Sequence, residues 1–221
     1  MSLAKRLLSV QPSGGGETVV ETSGALSGRT QLITLSGSNR LLIVVYSFED
    51  SGSGKTITAT FNGVAMAEAV EGAMTSARSQ GCAIYYVVEA DLPANGTYTA
   101  EATVLPSPPN GGDVMTWVQF SDAPSTLLAT AEGTSTSTAV DVTATASGSG
   151  NLLIVGASNG SSLATYSTAE PDATLVQTPD AADGMTGAAA WVFDWDNADS
   201  PFTLTTSDNP FRNLAISAIF G

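Results

Sequence analysis

The chain has no histidine, only one cysteine, and a single basic residue, Arg212, beyond position 78. Without histidine there are no Ser-His or Cys-His nucleophile pairs, and the usual zinc sites are gone as well. A Ser-Lys pair has only Lys5 or Lys55 to draw on. One cysteine, Cys82, cannot form an intramolecular disulfide, and its neighbours Gly81, Ala83 and Ile84 read as the setting of an inert buried thiol. No run approaches the roughly 18 apolar residues that a membrane-spanning helix needs, so no membrane insertion is expected. Residues 1–78 carry six acids and six bases, whereas the rest holds fifteen acids against Arg212. Such an anionic surface repels phosphate backbones, which excludes nucleic acid as a natural ligand and favours divalent cations or basic protein surfaces.

What the chain does have is 221 residues, 43% of them apolar, enough for one substantial core. The first ten residues place Lys5 and Arg6 before Leu7 and Leu8, but the apolar run stops at Ser9, too short for a secretory signal. Leu3, Lys5, Arg6, Leu7, Leu8 and Val10 read instead as an assembly arm that docks on other proteins of a particle. A Pro/Gly/Ser joint over residues 11–17 follows, so residues 1–24 are expected to be arm and hinge and residues 25–221 a single domain.

That domain reads as all-β. Residues 56–61, 97–104, 139–146 and 202–206 alternate apolar residues with threonine and other polar residues, the period-2 pattern of half-buried strands. Leu41–Tyr46, Ala83–Val88, Val114–Phe120, Leu152–Val155, Ala188–Phe193 and Leu214–Phe220 are continuous apolar runs, expected as central strands covered on both faces. Asn62-Gly63, Asn95-Gly96 and Asn159-Gly160 supply tight turns. The segment Glu68–Ala77 has some helical propensity, but Gly72 and the lack of an apolar stripe make it a loop or an edge. Leu42, Val44, Ile84, Tyr86, Val118, Leu153, Trp191, Ile216 and Phe220 are expected in the core.

An internal echo is present. Gly37-Ser-Asn-Arg-Leu-Leu-Ile-Val44 recurs as Gly148-Ser-Gly-Asn-Leu-Leu-Ile-Val155, about 110 residues later. The pattern predicts a two-layer antiparallel, jelly-roll-like sandwich closed by two similar halves. The body from Ser36 to Phe220 resembles a family of β-sandwich domains found in phage and prophage structural proteins and in bacterial surface proteins. The resemblance is carried by Gly37–Val45, Thr60–Met66, Ala83–Pro93 with Gly96–Thr99, and Arg212–Phe220. These are strand cores and turns. They imply a fold and a setting in a virion, and they carry over no catalytic residue.

Other motifs compete for a chemical reading. Glu49-Asp-Ser-Gly-Ser-Gly-Lys-Thr56 imitates a phosphate-binding loop, but Glu49 replaces the required glycine and a strand pattern follows Thr56. Asp194, Asp196, Asn197 and Asp199 offer oxygen donors to a cation such as calcium, although Ala198 breaks the EF-hand template and a solvated acidic loop is the plainer reading. Trp191 and Trp195 share one face of any regular strand through this region and are candidates for glycan contact, with burial as the plainer alternative. Paired carboxylates are the remaining route to catalysis, yet no context singles out a pair. The expected function is therefore non-enzymatic and cofactor-free. It is a homo-oligomeric surface component of a tailed-phage or phage-like particle, such as a head decoration, spike, fibre or tail-associated protein that contacts host polysaccharide. A secreted or cell-surface carbohydrate-binding module is the alternative.

Overall fold

The computed structural model describes residues 17–50, 54–75, 79–160, 164–180, 184–196, 201–208 and 212–221. The first half supplies nine strands: β1 (Val19–Ser27), β2 (Thr30–Leu35), β3 (Leu41–Asp50), β4 (Thr56–Phe61), β5 (Val64–Ala65), β6 (Ala67–Thr75), β7 (Ser79–Val88), β8 (Gly96–Leu105) and β9 (Asp113–Ser121). The second half supplies β10 (Leu127–Ser135), β11 (Ala139–Val142), β12 (Asn151–Gly160), β13 (Tyr166–Thr168), β14 (Thr174–Asp180), β15 (Met185–Trp195), β16 (Phe202–Thr206) and β17 (Arg212–Phe220). The only described helical element is a 3-10 turn at Glu89–Asp91. No described helix is long and apolar enough to cross a membrane.

The protein is an all-β antiparallel sandwich with a jelly-roll-like strand order. Four sheets stack in layers. In the first half, β1-β9-β3-β7-β6 packs on β2-β8-β4-β5; in the second, β10-β17-β12-β15-β14 packs on β11-β16-β13. Each strand of the second half occupies the place of its counterpart in the first. Even an irregularity is repeated: β1 slips register between Val20 and Thr22 against β9, and β10 slips between Leu127 and Ala129 against β17. The unit of repetition is a whole two-layer sandwich, so the halves close two sandwiches set back to back rather than sharing one.

Alternation explains the layers. Along β3 the even positions Leu42, Val44, Tyr46 and Phe48 enter the core of the first sandwich, with Ile57, Ala59, Phe61 and Val104 opposite. The odd positions Leu41, Ile43 and Val45 enter a second core shared with Leu152, Ile154, Trp191, Ile216 and Phe220. A third core lies inside the second sandwich and holds Val140, Val142, Leu153, Val155, Trp195 and Phe202. All six apolar runs became strands of the two five-stranded sheets, none of them at an edge. Of the nine residues expected in the core, eight are buried, and the half-buried Tyr86 packs edge-on to Phe220 at 5.2 Å between ring centroids. The segment at 68–77 contributes the edge strand β6.

The domain boundary falls earlier than position 25. Strand β1 begins at Val19 and pairs along β9 from Ser121 to Val114, so residues 19–24 belong to the first sandwich. Leu3, Lys5, Arg6, Leu7, Leu8 and Val10 lie outside the described residues.

Candidate functional site

Three surface depressions and two sheet faces are the candidates. The most polar depression, about 570 Å³, lies on the seam between the sandwiches and is lined by Arg29, Glu101, Asn110, Asp113 and Asp180. Strand β9 begins at Asp113, and β14 of the other sandwich ends at Asp180. The Asp113 backbone N–H donates to Asp180 Oδ2 at 3.3 Å. Its carboxylate accepts from Tyr46 OH at 2.8 Å and pairs with Arg29 Nε at 3.2 Å. Burial pushes the Asp113 carboxyl above its ordinary value and nearby Asp180 adds to this, against the Tyr46 hydrogen bond and the Arg29 charge. Burial likewise raises the Tyr46 phenol well above its usual range, with the Asp113 charge second. This is an ion-paired polar seam. Asp113 has its partners already, so the carboxyl is held rather than poised toward the groove.

The second depression, about 340 Å³, includes the acidic segment singled out in the sequence: Glu17, Asp122, Phe193 and Asp194 line it with Asn151 and Leu152. Asp194 and Asp196 are exposed, while Asn197 and Asp199 lie outside the described residues. Among the described residues no three carboxylate or thiol groups come together as a metal site.

Both tryptophans are inside the protein, which corrects the expectation of glycan contact. Trp191 is 2% exposed and packs edge-on to Phe120 at 6.0 Å in the core between the sandwiches. Trp195 is 1% exposed and meets Phe202 at 6.1 Å in the core of the second sandwich. They also do not share a face. Between Val192, opposite Leu153, and Trp195, opposite Asn151, β15 carries one residue too many, and Asp194 takes a left-handed φ of 55°. This bulge inverts the alternation, so the two rings point to opposite sides of the sheet. Asn151 fixes it by donating from Nδ2 to the Trp195 carbonyl at 3.3 Å. The aromatic that does reach solvent here is Phe193, 38% exposed, which the sequence reading passed over because it sat in an apolar run.

In the segment resembling a phosphate-binding motif, Lys55 is engaged within the fold. Lys55 Nζ pairs with Asp50 Oδ2 at 2.6 Å and donates to the Ser107 carbonyl at 3.0 Å and Oγ at 2.9 Å. Thr56 then opens strand β4 instead of a helix, so no helix N-terminus faces the lysine.

The third depression, about 680 Å³, is lined by Val64, Ala67, Tyr86, Val88 and Leu127. A separate surface is the outer face of the β2-β8-β4-β5 sheet, where Leu32, Glu101 and Leu105 are exposed among threonines. Thr30, Thr34, Thr56, Thr58, Thr97, Thr99 and Thr103 are exposed there, with Thr34 and Thr97 hydroxyls 2.9 Å apart across the strands. On the opposite outer face of the molecule, β11-β16-β13 exposes Asp141, Ser167 and Thr205. Comparison with known proteins adds nothing to this geometry: no family model, curated protein or solved structure matches the chain.

Proposed function

We propose that this chain is a non-catalytic structural or surface component of a tailed-phage or phage-like particle, in the class of head decoration, spike, fibre or tail-associated proteins. The observation that supports this most is the stacking of two sandwiches through an apolar core, which leaves one solvent-facing sheet face on each outer side. Such a body is a rigid spacer with two solvated faces, suited to a repeated position on a shell. The described polar groups that come together, at Asp113, Lys55 and Arg40, are engaged in ion pairs within the fold. In this reading residues 1–16, with Leu3, Leu7, Leu8 and Val10 around Lys5 and Arg6, dock the body on neighbouring virion proteins or on further copies of itself. Burying three or four such side chains contributes about 1.5–3 kcal/mol each, less the cost of ordering the segment.

Mass spectrometry of purified particles released by lysis is the direct test, and the protein is expected in stoichiometric amounts. Its absence from particles would sink the proposal. Deleting residues 1–16 should leave a folded body that no longer incorporates; normal incorporation would place the docking surface on the sandwich instead. A carbohydrate-binding module is the second reading, favoured by exposed Phe193 beside Asp194 in the 340 Å³ depression. Glycan-array binding lost in Phe193→Ala, in a protein absent from particles, would select it.

A further inference from the structure

The two sandwiches meet through the same sheet face, and equivalent strands meet in reciprocal fashion. Strand β17 lies against β6 and β7, and its counterpart β9 lies against β14 and β15. Strands β3 and β12, counterparts of each other, run face to face. The contact is therefore arranged as in a two-fold symmetric dimer, in which one patch meets a copy of itself. Along its centre, however, the equivalent residues are not alike. Val45 meets Gly156, where a Cβ on the glycine would lie 2.7 Å from Val45 Cγ1. Glu49 meets Gly160, where a Cβ would lie 2.7 Å from Glu49 Oε2. On the flanking strands, Arg212 stands in the place that Gly112 holds in the first sandwich, and Gly187 stands in the place of Cys82. Arg212 Nη2 donates to Glu49 Oε1 at 2.6 Å, with side chains 4% and 0% exposed.

We propose that this face is built for a heterotypic partner: the first sandwich fits the second, and neither fits a copy of itself. Pairing two first sandwiches would bring Val45 against Val45 and bury two Glu49 carboxylates with glycine where the guanidinium should be. Pairing two second sandwiches would leave a gap at Gly156, press Leu214 where Val114 now meets Gly187, and bury two Arg212 side chains without an anion. Both alternatives combine a packing defect with uncompensated buried charge, a specificity device that acts by rejecting the wrong partner. The connection between the sandwiches, residues 122–126, is short, and short connections otherwise favour exchange of units between copies. The inference does not rest on the virion reading.

Cys82 reports the state of this face, because it is fully buried in the shared core and donates to or accepts from Ser47 Oγ at 3.4 Å. The full-length chain is refolded as Glu49→Arg, as Arg212→Glu, as both changes in one chain, and as a co-refolded mixture of the two single variants. Each single variant places like charges together and should label at Cys82 faster than the parent by about tenfold or more. The double variant restores an opposite pair within the chain and should be as protected as the parent. The mixture should also be protected, since each sandwich then finds its complement on the other chain. Unchanged labelling in the single variants, a double variant as reactive as the singles, or a mixture no better protected than its components would each overturn the proposal.

Discussion

The two sandwiches share a strand order and a bulge position, yet they hold their ends together with different chemistry. The first uses charge. Arg40, 5% exposed, forks onto Glu89 through Nε at 2.8 Å and Nη2 at 2.7 Å and reaches Asn95 with Nη1 at 2.9 Å. Arg29 with Asp113 and Lys55 with Asp50 do the same at its other margins. The second sandwich has one cation, Arg212, and commits it to Glu49 across the seam. In place of Arg40 it has Asn151, and its layers are tied by neutral groups. Gln177 of β14 accepts from the Tyr166 N–H at 2.6 Å and donates to the Tyr166 carbonyl at 2.9 Å, acting as an extra strand at the edge of β13. Tyr166 OH donates to Asn213 Oδ1 at 2.8 Å, and Asn159 closes the β12 end by accepting from the Thr186 N–H at 2.9 Å. One topology is thus compatible with either set of partners. The excess of acids in the second half has no matching set of cations inside it and is carried mostly at its surface.

This contrast can be broken most severely in the cores. Trp195→Ala in the second sandwich and Trp117→Ala in the first should each cost about 3–5 kcal/mol, read from the denaturant midpoint. If the shared core makes the sandwiches one cooperative unit, both variants keep a single transition. Two separated transitions would show instead that the seam is weak. Next in size is the neutral tie. Gln177→Ala removes both hydrogen bonds to Tyr166 and should cost about 1–3 kcal/mol, with amide exchange at Tyr166 rising while the first sandwich is unaffected.

The smallest effect separates the two chemistries by pH. Hydrogen bonding to Arg40 holds the Glu89 carboxyl below its ordinary value of 4.5. Its stabilisation is present above that value and lost as pH falls through the lowered one. Because the Glu89 side chain is 44% exposed, solvent screening limits the expected loss in Glu89→Gln to about 0.5–1 kcal/mol at neutral pH, vanishing in acid. Asp113 has the opposite sign. Its carboxyl is raised above 3.8, chiefly by burial, so its contribution is present below that value and lost as pH rises through the raised one. Stability measured from neutral to acid pH should therefore fall relative to Glu89→Gln and rise relative to Asp113→Asn. Parallel curves for the two variants would contradict these assignments.

Much of the fold was legible because strand signals are local. Thr56–Phe61 alternates in sequence and in burial, and Leu41–Tyr46, apolar throughout, is covered on both faces. The edge strands were harder. Strand β1 buries none of its nine residues fully, and β10 is nearly as exposed, so neither carries a strong apolar signature; the hinge reading of residues 19–24 followed from that. The candidate site was least legible. Trp191 and Trp195 looked like neighbours on one face because a regular strand was assumed, and a single extra residue at the Asp194 bulge sent them into different cores.

By itself the sequence determined the class, the six central strands and the existence of a repeat, since these depend on side-chain periodicity and composition within short windows. The excluded chemistries follow from residue types that are simply missing. Tertiary structure decided the rest: that each half closes its own sandwich, that Val45 meets Gly156, and that Glu49 finds Arg212 from 163 positions away in the chain. Those outcomes depend on which faces of two folded sheets come together. A face-to-face contact between distant strands leaves no periodic trace in either one, so Gly160, which reads as a turn residue in sequence, and Gly156 become in the folded protein the places where Glu49 and Val45 are received.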